Sequence, residues 1–518
     1  MALKSTINRR MRKTITIVGA GTAGSLTAAH LKTQFPNYHI RQIYTPYIPI
    51  IGVGESVTPL LAYFLKNMGL EEKDWMTATD SIYKFSNCFR GWVEEDDKVF
   101  FGFTFNEPIE KIMNGEETTI EDIRSITPKD HRLTDVLIDL YNNEKIGYDF
   151  DHYYNEYQPY MTKNVMPDNL SEKYSYAYHV DAEKLGPWIF ENVNSKIGVE
   201  QIEGKIVKVN KDEQGISSVE LEDGRIFESD LWVDTSGFKR ILIGEIENEY
   251  VEYDHCLVNS AVVSPVSYAD PDKECVNYTQ SIWNKHGWMW KIGLSTREGR
   301  GLVYSDKFTT DEEAVDEFLR LAEGRNMREP KILKWEPKRL VRPASKNVVA
   351  IGLAGGFVEP MEANSLDLVC AGIFHLSDAL ASNASWDKFN TYINDCLDDV
   401  ADFVSVHYTL SPKEPNEFWK YMRELGRKQK HTELCKSRYN NEYNTMYWTT
   451  KMRNLFPDYM WAELMIGWRH DTSDWSKNTD DETQNKILLH MLNRYQKNNK
   501  DAENCKPYFQ YIKQRTAR

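Results

Sequence analysis

The most restrictive feature of this sequence is a β-rich run, Thr14-Ile15-Thr16-Ile17-Val18, that ends directly in Gly19-Ala20-Gly21-Thr22-Ala23-Gly24. Ser25 to Gln34 then reads as a helix with Leu26, Ala29 and Leu31 on its apolar side, and His39–Tyr44 reads as a second strand. Strand, glycine turn and helix in that order open a dinucleotide-binding βαβ unit. Gly19 permits the tight turn, Gly21 lets backbone approach a pyrophosphate, and Gly24 lets the helix pack against the strand. The pyrophosphate then rests on free N–H groups at the helix start, at Thr22 and Ala23, where the macrodipole favours an anion. The acidic residue expected about 20 positions on, to hold a ribose hydroxyl, is missing. The second strand ends in Tyr44, and no Asp or Glu lies between Gly24 and Gly52. A phenol cannot match a bidentate carboxylate, so cofactor binding is expected to be weaker than usual for such a fold. Tight binding in a fluorescence-quenching titration contradicts that expectation.

A second strand-to-turn segment, Asn347 to Gly356, carries Gly352, Gly355 and Gly356. With a single fingerprint at the N-terminus and this distant glycine turn, the cofactor reads as FAD rather than a nicotinamide. Apolar runs at 203–209, 216–220, 230–233 and 348–352 predict further strands. From about 384 onward glycine becomes sparse, and charged and aromatic residues recur at helical spacing. The expected architecture is therefore α/β: a Rossmann-like, FAD-binding body of the flavin monooxygenase type over 1–383, with substrate-side insertions. A mostly helical region over 384–518 packs on it.

Composition narrows the partners. The 518 residues are 41% apolar and 27% charged, which describes a soluble globular chain with a large core. Lys plus Arg total 63 against 78 Asp plus Glu, a net charge of −15 that argues against nucleic-acid binding. The basic stretch 423–438 and the acidic stretches 94–97 and 115–122 read as solvated faces. Seven scattered cysteines without a CxxC pair indicate neither a disulfide framework nor a metal site, and suit a reducing cytoplasm. Arg9, Arg10, Arg12 and Lys13 precede only Ile15–Val18, too short for a secretory segment, and no run approaches the ~18 apolar residues of a membrane span. Homo-oligomerisation is left open.

Several further segments resemble the flavin-dependent halogenases, whose best-known members act on tryptophan. These are Gly52-Val53-Gly54-Glu55-Ser56 with Thr58-Pro59, and Lys84 within 78–85. Gly287-Trp288-Met289-Trp290-Lys291-Ile292 follows, with Arg297, Gly299 and Gly301. Asp234 to Phe238 and Gly356 to Glu362 complete the set. The likeness runs over roughly 14–370, about two thirds of the chain; the marine phage-encoded branch is a candidate for the nearer match. It implies an enzyme in which FADH2, delivered by a separate flavin reductase, and O2 oxidise chloride, bromide or iodide to hypohalous acid. That acid travels through the protein to halogenate an electron-rich small aromatic, phenol- or indole-like.

The resemblance places Gly54, Glu55 and Ser56 at the cofactor and the halide on the backbone N–H groups of Asn364 and Ser365, where turn amides need no side-chain cation. Lys84 matches the family's catalytic lysine, able as an ammonium to polarise the O–X bond and as an amine to form a haloamine. The apolar surroundings of Lys84 in SIYKF predict burial and a lowered pKa. Glu362 matches the partner carboxylate that orients the electrophile or takes the ring proton. Trp288, Trp290 and Ile292 form the barrier between flavin and substrate, both indoles projecting from one side of an extended segment.

Three departures from the family pattern shape the expectations. Gly293 stands where proline is usual. Ala363 and Asn364 replace serine and threonine, which removes a hydroxyl beside the halide and favours bromide or iodide; in competition at equal concentrations, clear preference for chloride ends that idea. Val99-Phe100-Phe101-Gly102-Phe103-Thr104-Phe105 contains no histidine where tryptophan-halogenating members have one, so free tryptophan is a doubtful natural substrate. This run, with Tyr443, Tyr447, Trp448, Tyr459, Trp461 and Trp468, reads either as an aromatic-lined substrate slot or as core and interface. The competing functions are a flavin-dependent aromatic monooxygenase, which has no need of Lys84, and a flavin-binding structural or assembly protein, which needs neither Lys84 nor Glu362.

Overall fold

The strand Thr14–Val18 is the middle of a six-stranded sheet, and Ile15, Ile17 and Val18 are all buried, as a strand covered on both faces requires. The order is Ala344–Ser345, Val348–Ala350, Leu231–Asp234, Thr14–Val18, His39–Tyr44 and Glu200–Glu203. All neighbours run parallel except the short edge strand Ala344–Ser345. The protein, here a computed structural model, is described over residues 13–46, 54–103, 109–116, 132–149, 155–168, 170, 176–440 and 455–516. The helix Thr22–Gln34 follows the first strand after three residues, so the carboxyl ends of the parallel strands form the edge where such sheets bind ligands. The fold is the FAD-binding α/β type.

The run 203–209 does not form one strand. Glu200–Glu203 completes the parallel sheet, and Ile206–Asp212 begins a separate three-stranded antiparallel sheet. The break falls at Gly204, where a Cβ would lie 2.5 Å from Leu221 Cδ1. The run at 348–352 stops pairing at Ala350, because Gly352 takes φ +68° and opens a 3-10 turn.

A second sheet has seven strands, in the order Lys331–Lys334, Ser260–Val266, Glu298–Tyr304, Gly287–Gly293, Thr279–Asn284, Ser86–Arg90 and Lys98–Gly102. A small third sheet sets Ala177–Val180 between Glu55–Ser56 and Ile82–Lys84. The 383/384 position lies in the turn between the helices Asn364–Ser382 and Trp386–Leu410, and one apolar cluster crosses it from Ile15 to Ile512. Beyond it, helices dominate; the one strand among the described residues is Lys506–Pro507, paired with Val165–Met166. The segment Met361–Ser382 is long and apolar enough by composition to cross a membrane, and 61% of that stretch is buried inside the protein. It is the helix on which the active-site turn is built.

Candidate active site

The glycine turn has the geometry a pyrophosphate needs. Gly19 takes φ +124°, and a Cβ there would stand 2.6 Å from Thr235 Oγ1. At Gly24 a Cβ would come within 2.2 Å of Gly19 O, whereas at Gly21 it would meet nothing within 4 Å. The first and third glycines of the turn, Gly19 and Gly24, are therefore closed by protein, and the second, Gly21, faces open space before Thr22 and Ala23. Gly352 lies against this helix start, its added Cβ 3.7 Å from Ala23 Cβ, so the distant glycine turn of Gly352, Gly355 and Gly356 does reach the fingerprint. Gly54, at φ +83°, packs on Ile292. Burial pushes the carboxyl of Glu55 beside it up to about 7. These features fit a flavin dinucleotide.

Tyr44 ends its strand directly opposite Glu203 in the register. Partial burial and the Glu203 carboxylate raise the Tyr44 phenol above its usual range. An acid is thus present at the carboxyl edge, one strand over and far along the chain, where a spacing rule confined to the second strand does not look. Asp234, by contrast, is consumed internally: it accepts from Ser236 N and Oγ and from the N–H groups of Leu242 and Ile243.

Lys84 ends the strand Ile82–Lys84 and is fully buried. Its Nζ donates to Ser56 Oγ at 2.6 Å and to Val57 O at 3.1 Å, and stands 4.9 Å from the ring centre of Phe103. Burial lowers its pKa to about 7, against the opposing pull of the Glu362 and Asp367 carboxylates. Asp367, in the first turn of Asn364–Ser382, accepts from Thr58 Oγ1 at 2.8 Å, and burial pushes its carboxyl up to about 7. The side chain of Ser56, held by Lys84, is turned toward that amine.

Glu362 is buried on a strained turn. It takes φ 62° and Ala363 takes φ 58°, two successive non-glycine residues in the left-handed region. The carboxylate accepts from Asn87 Nδ2 at 2.6 Å through Oε2, and its Oε1 lies 3.1 Å from His407 Nε2. His407 Nδ1 is 2.8 Å from Phe403 O, an acceptor only, so Nδ1 carries a hydrogen. Nε2 and Oε1 thus face each other at a position that can hold one proton. Sequence reading missed His407 and Asn87: one lies mid-helix in the C-terminal region and the other three residues past Lys84, and only the fold brings them to Glu362. Asn364 and Ser365 open the long helix, where the first N–H groups lack intrahelical partners. The side chain of Asn364 turns back to donate to Glu359 O and Met361 O, so it staples the turn, while its Oδ1 is buried without a partner among the described residues.

Trp288 and Trp290 project from one face of Gly287–Gly293, with ring centres 5.9 Å apart. Trp288 Nε1 donates to Glu359 Oε1 at 3.3 Å, and Tyr408 Oη donates to the same carboxyl, which burial raises to about 8. A Cβ on Gly301 would fall 2.0 Å from Trp290 Cζ2, so the absence of a side chain at 301 makes the space that the second indole occupies. Ile292 closes the row against Gly54.

The aromatic segments divide. Phe101 packs in the core against Phe89, His407 and Trp468, whereas Phe103 lies under the Lys84 amine. Tyr459, Trp461 and Trp468 are buried helix-packing residues, and Trp468 Nε1 donates to His407 O at 3.0 Å. Gly52, Val53, Thr104, Phe105, Tyr443, Tyr447 and Trp448 lie outside the described residues. In the basic stretch, Lys430 pairs with Glu433, Lys436 with Asp474 and Arg438 with Asp402. No cluster of three or more metal-ligating side chains occurs among the described residues.

The tryptophan halogenase sequence family matches residues 14–484. Tryptophan 6-halogenase ThaL of Streptomyces albogriseolus is 32% identical over 429 residues, 80% of this chain and 79% of its own. Tryptophan 7-halogenase RebH of Lentzea aerocolonigenes is 30% identical over 426 residues, 79% of each chain. In fold, the chain superposes on Xcc4156, a flavin-dependent halogenase from Xanthomonas campestris, with a TM-score of 0.82 at 22% identity over 98% of both chains. A tryptophan halogenase from Shewanella frigidimarina gives 0.83 at 22% identity, again over 98% of both. These named relatives are bacterial and lend no support to the phage-encoded branch. Matched over most of its length, the chain belongs to the tryptophan halogenase family and is an FADH2-dependent halogenase, which takes a halide as co-substrate and its reduced flavin from a separate reductase.

Proposed function

We propose that this enzyme halogenates an electron-rich aromatic ring, indole- or phenol-like, with hypohalous acid delivered between Lys84 and Glu362. The observation that carries the reading is a fully buried amine and a buried carboxylate, remote in sequence, near enough that the Glu362 charge favours the Lys84 ammonium, with Phe103 beside the amine and Asn87 donating to the carboxylate. A structural protein has no reason to sustain the cost of burying that amine, and a monooxygenase needs no hydrogen-bond donor for hypohalous acid.

Bound as FADH2, the flavin would supply the two electrons with which O2 oxidises halide to hypohalous acid. The chain's own residues do the rest. Gly19, Gly21, Thr22, Ala23 and Gly24 hold the pyrophosphate, with Gly352, Gly355, Gly356, Gly54 and Glu55 around the remainder of the cofactor. The N–H groups of Asn364 and Ser365 hold the halide, and Trp288, Trp290 and Ile292 keep the flavin compartment apart from the substrate. Lys84 donates a hydrogen bond to the electrophile, and Glu362 with His407 receives the proton that leaves the ring. Glu203 supplies the ribose contact missing after Gly24. Replacing it with alanine should then weaken FAD binding about tenfold, the scale of one hydrogen bond to a charged group, as read by quenching of flavin fluorescence; an unchanged Kd leaves the ribose to Tyr44 alone.

The relatives' tryptophan specificity does not transfer simply, because the run after Lys84 has phenylalanines where a histidine is expected. Seven free thiols, six of them buried, suit a reducing cytoplasm. The reaction class is tested by incubating indole, tryptophan and phenol with FAD, a reductase, air and equal chloride, bromide and iodide. Mass-shifted products with the halogen isotope pattern are expected, bromide or iodide leading. Hydroxylated products alone mean a monooxygenase.

A further inference from the structure

Lys84 is held by more than its two direct acceptors. Ser56 Oγ, which accepts from Lys84 Nζ, lies 2.7 Å from Thr279 Oγ1; Thr279 Oγ1 lies 2.9 Å from His179 Nε2; and His179 Nδ1 lies 3.0 Å from Gly293 O. Ser56, Thr279 and His179 are all buried. The far end sets the direction of the whole series. A carbonyl oxygen only accepts, so His179 Nδ1 carries the hydrogen. In the neutral ring Nε2 is then an acceptor, and the single hydrogen of the Thr279 hydroxyl is committed to it. Thr279 can only accept from Ser56, whose own hydrogen is thereby committed, and Ser56 can only accept from Lys84. Burial, reinforced by the Lys84 charge, drives His179 down to about 3, so the ring stays neutral at working pH.

We propose that Ser56, Thr279 and His179 act as positioning residues, a one-directional hydrogen-bond chain that fixes where the Lys84 amine points; the catalytic meaning of this rests on the role given to Lys84 above. Val57 O and Ser56 Oγ occupy two of the three substituent directions on Nζ, and neither can reverse. One direction remains without a hydrogen-bond partner among the described residues. It holds a hydrogen in the ammonium and the lone pair in the amine, so every change in protonation is expressed at a single fixed point.

The fold explains how the chain arises. In the antiparallel register Ser56 and Ile82 both stand opposite His179, which places Ser56, His179 and Lys84 on one face of the small sheet. Thr279 arrives as the first residue of Thr279–Asn284 in the seven-stranded sheet, so the series ties the two sheets together. The family resemblance places Ser56 at the cofactor; its hydroxyl makes this contact to Lys84 and Thr279.

The groups that face Lys84 with charge are Glu362 on its turn, paired with His407 from Trp386–Leu410, Asp367 from the helix Asn364–Ser382, and His179 from Ala177–Val180. Changing Thr279 touches only His179 among these, since His179 Nε2 accepts from the Thr279 hydroxyl, while Glu362, His407 and Asp367 keep their partners. Thr279→Val removes the hydroxyl while keeping the shape, frees the Ser56 hydrogen to turn toward Lys84, and so disfavours the ammonium. The test uses the full chain carrying lysine labelled with carbon-13 at Cε, the Lys84 resonance being the one absent from Lys84→Met. Its titration midpoint should fall by on the order of one pH unit in Thr279→Val, the equivalent of one hydrogen bond to a charge, and return to the wild-type value in Thr279→Ser. Should Thr279→Val not fold, Ser56→Ala must show the same fall. A wild-type midpoint in Thr279→Val or Ser56→Ala, or a Thr279→Ser midpoint displaced as far as that of valine, overturns the chain. Halogenation surviving in Lys84→Met would instead remove Lys84 from the chemistry and leave the hydrogen-bond chain to stand on its titrations.

Discussion

Lys84→Ala is expected to lower halogenated product by two to four orders of magnitude, the usual range for losing a positioned proton donor, while flavin reoxidation continues. In the proposed mechanism Lys84 acts on hypohalous acid after halide oxidation, so the oxidative half of the cycle does not need it. Lys84→Met fills the volume that alanine vacates and separates lost chemistry from a collapsed cavity. Survival of product at more than a tenth of the wild-type yield in both variants would mean that the amine is not the reacting group. The same residue sets a pH dependence. Its folded pKa of about 7 lies below the ordinary lysine value because burial penalises the charge. Between about 7 and 10.5 the unfolded chain therefore holds a proton that the folded chain has released, and the contribution of Lys84 to stability rises with pH across that window and is least below 7. Asp367 has the opposite sign: its carboxyl, raised to about 7, favours the folded state at low pH and loses that advantage as pH rises through 7. The charge of each group favours the charged form of the other, so the two titrations are linked. A profile of product per flavin oxidised should accordingly break near pH 7. A fall above the break identifies the ammonium as the working form, and a fall below it identifies the amine.

The parts of the site that the sequence displays are those in which one local segment does the whole task. Gly19, Gly21 and Gly24 form such a segment, because turn, approach and packing are all decided within six residues. The alternation around Lys84 indicated burial for the same reason: neighbours in a strand determine which face a side chain joins. Trp288 and Trp290 share a face by the strand period alone. What the sequence does not display are contacts made by register between distant strands and by helices that pack late in the chain. Glu203 stands opposite Tyr44 only because Glu200–Glu203 pairs with His39–Tyr44 in parallel. Thr279 reaches Ser56 only because two sheets meet there, and His407 reaches Glu362 only because Trp386–Leu410 crosses the turn at 362. Each of these side chains is of a common type in an unremarkable local setting, and no spacing rule singles it out. The boundary at Gly204 shows the converse error, in which a continuous apolar run conceals a change of sheet.

Glu362→Gln should reduce halogenation about a hundredfold while leaving the fold almost undisturbed, which makes it the cleaner of the two site substitutions. The reason is the hydrogen-bond inventory around the carboxylate. A glutamine can turn its carbonyl toward Asn87 Nδ2 and its NH2 toward His407 Nε2, which in the neutral ring is an acceptor because Nδ1 donates to Phe403 O. Both buried neighbours stay satisfied, a difference of well under 1 kcal/mol, so in a chain of 518 residues the thermal midpoint should move by less than about one degree. What disappears is the shared proton site. Glutamate and His407 together can accept the proton displaced from the aromatic ring and hold it between Oε1 and Nε2, whereas the amide cannot accept it. The strain at Glu362 and Ala363 then has a use, since two left-handed residues in succession turn this carboxylate inward at the start of the Asn364–Ser382 helix, beside the amides assigned to the halide. Turnover in Glu362→Gln within threefold of wild type, with flavin reoxidation equal in both, would show that the carboxylate orients nothing and accepts nothing, and that His407 is paired with it only to keep a buried charge company.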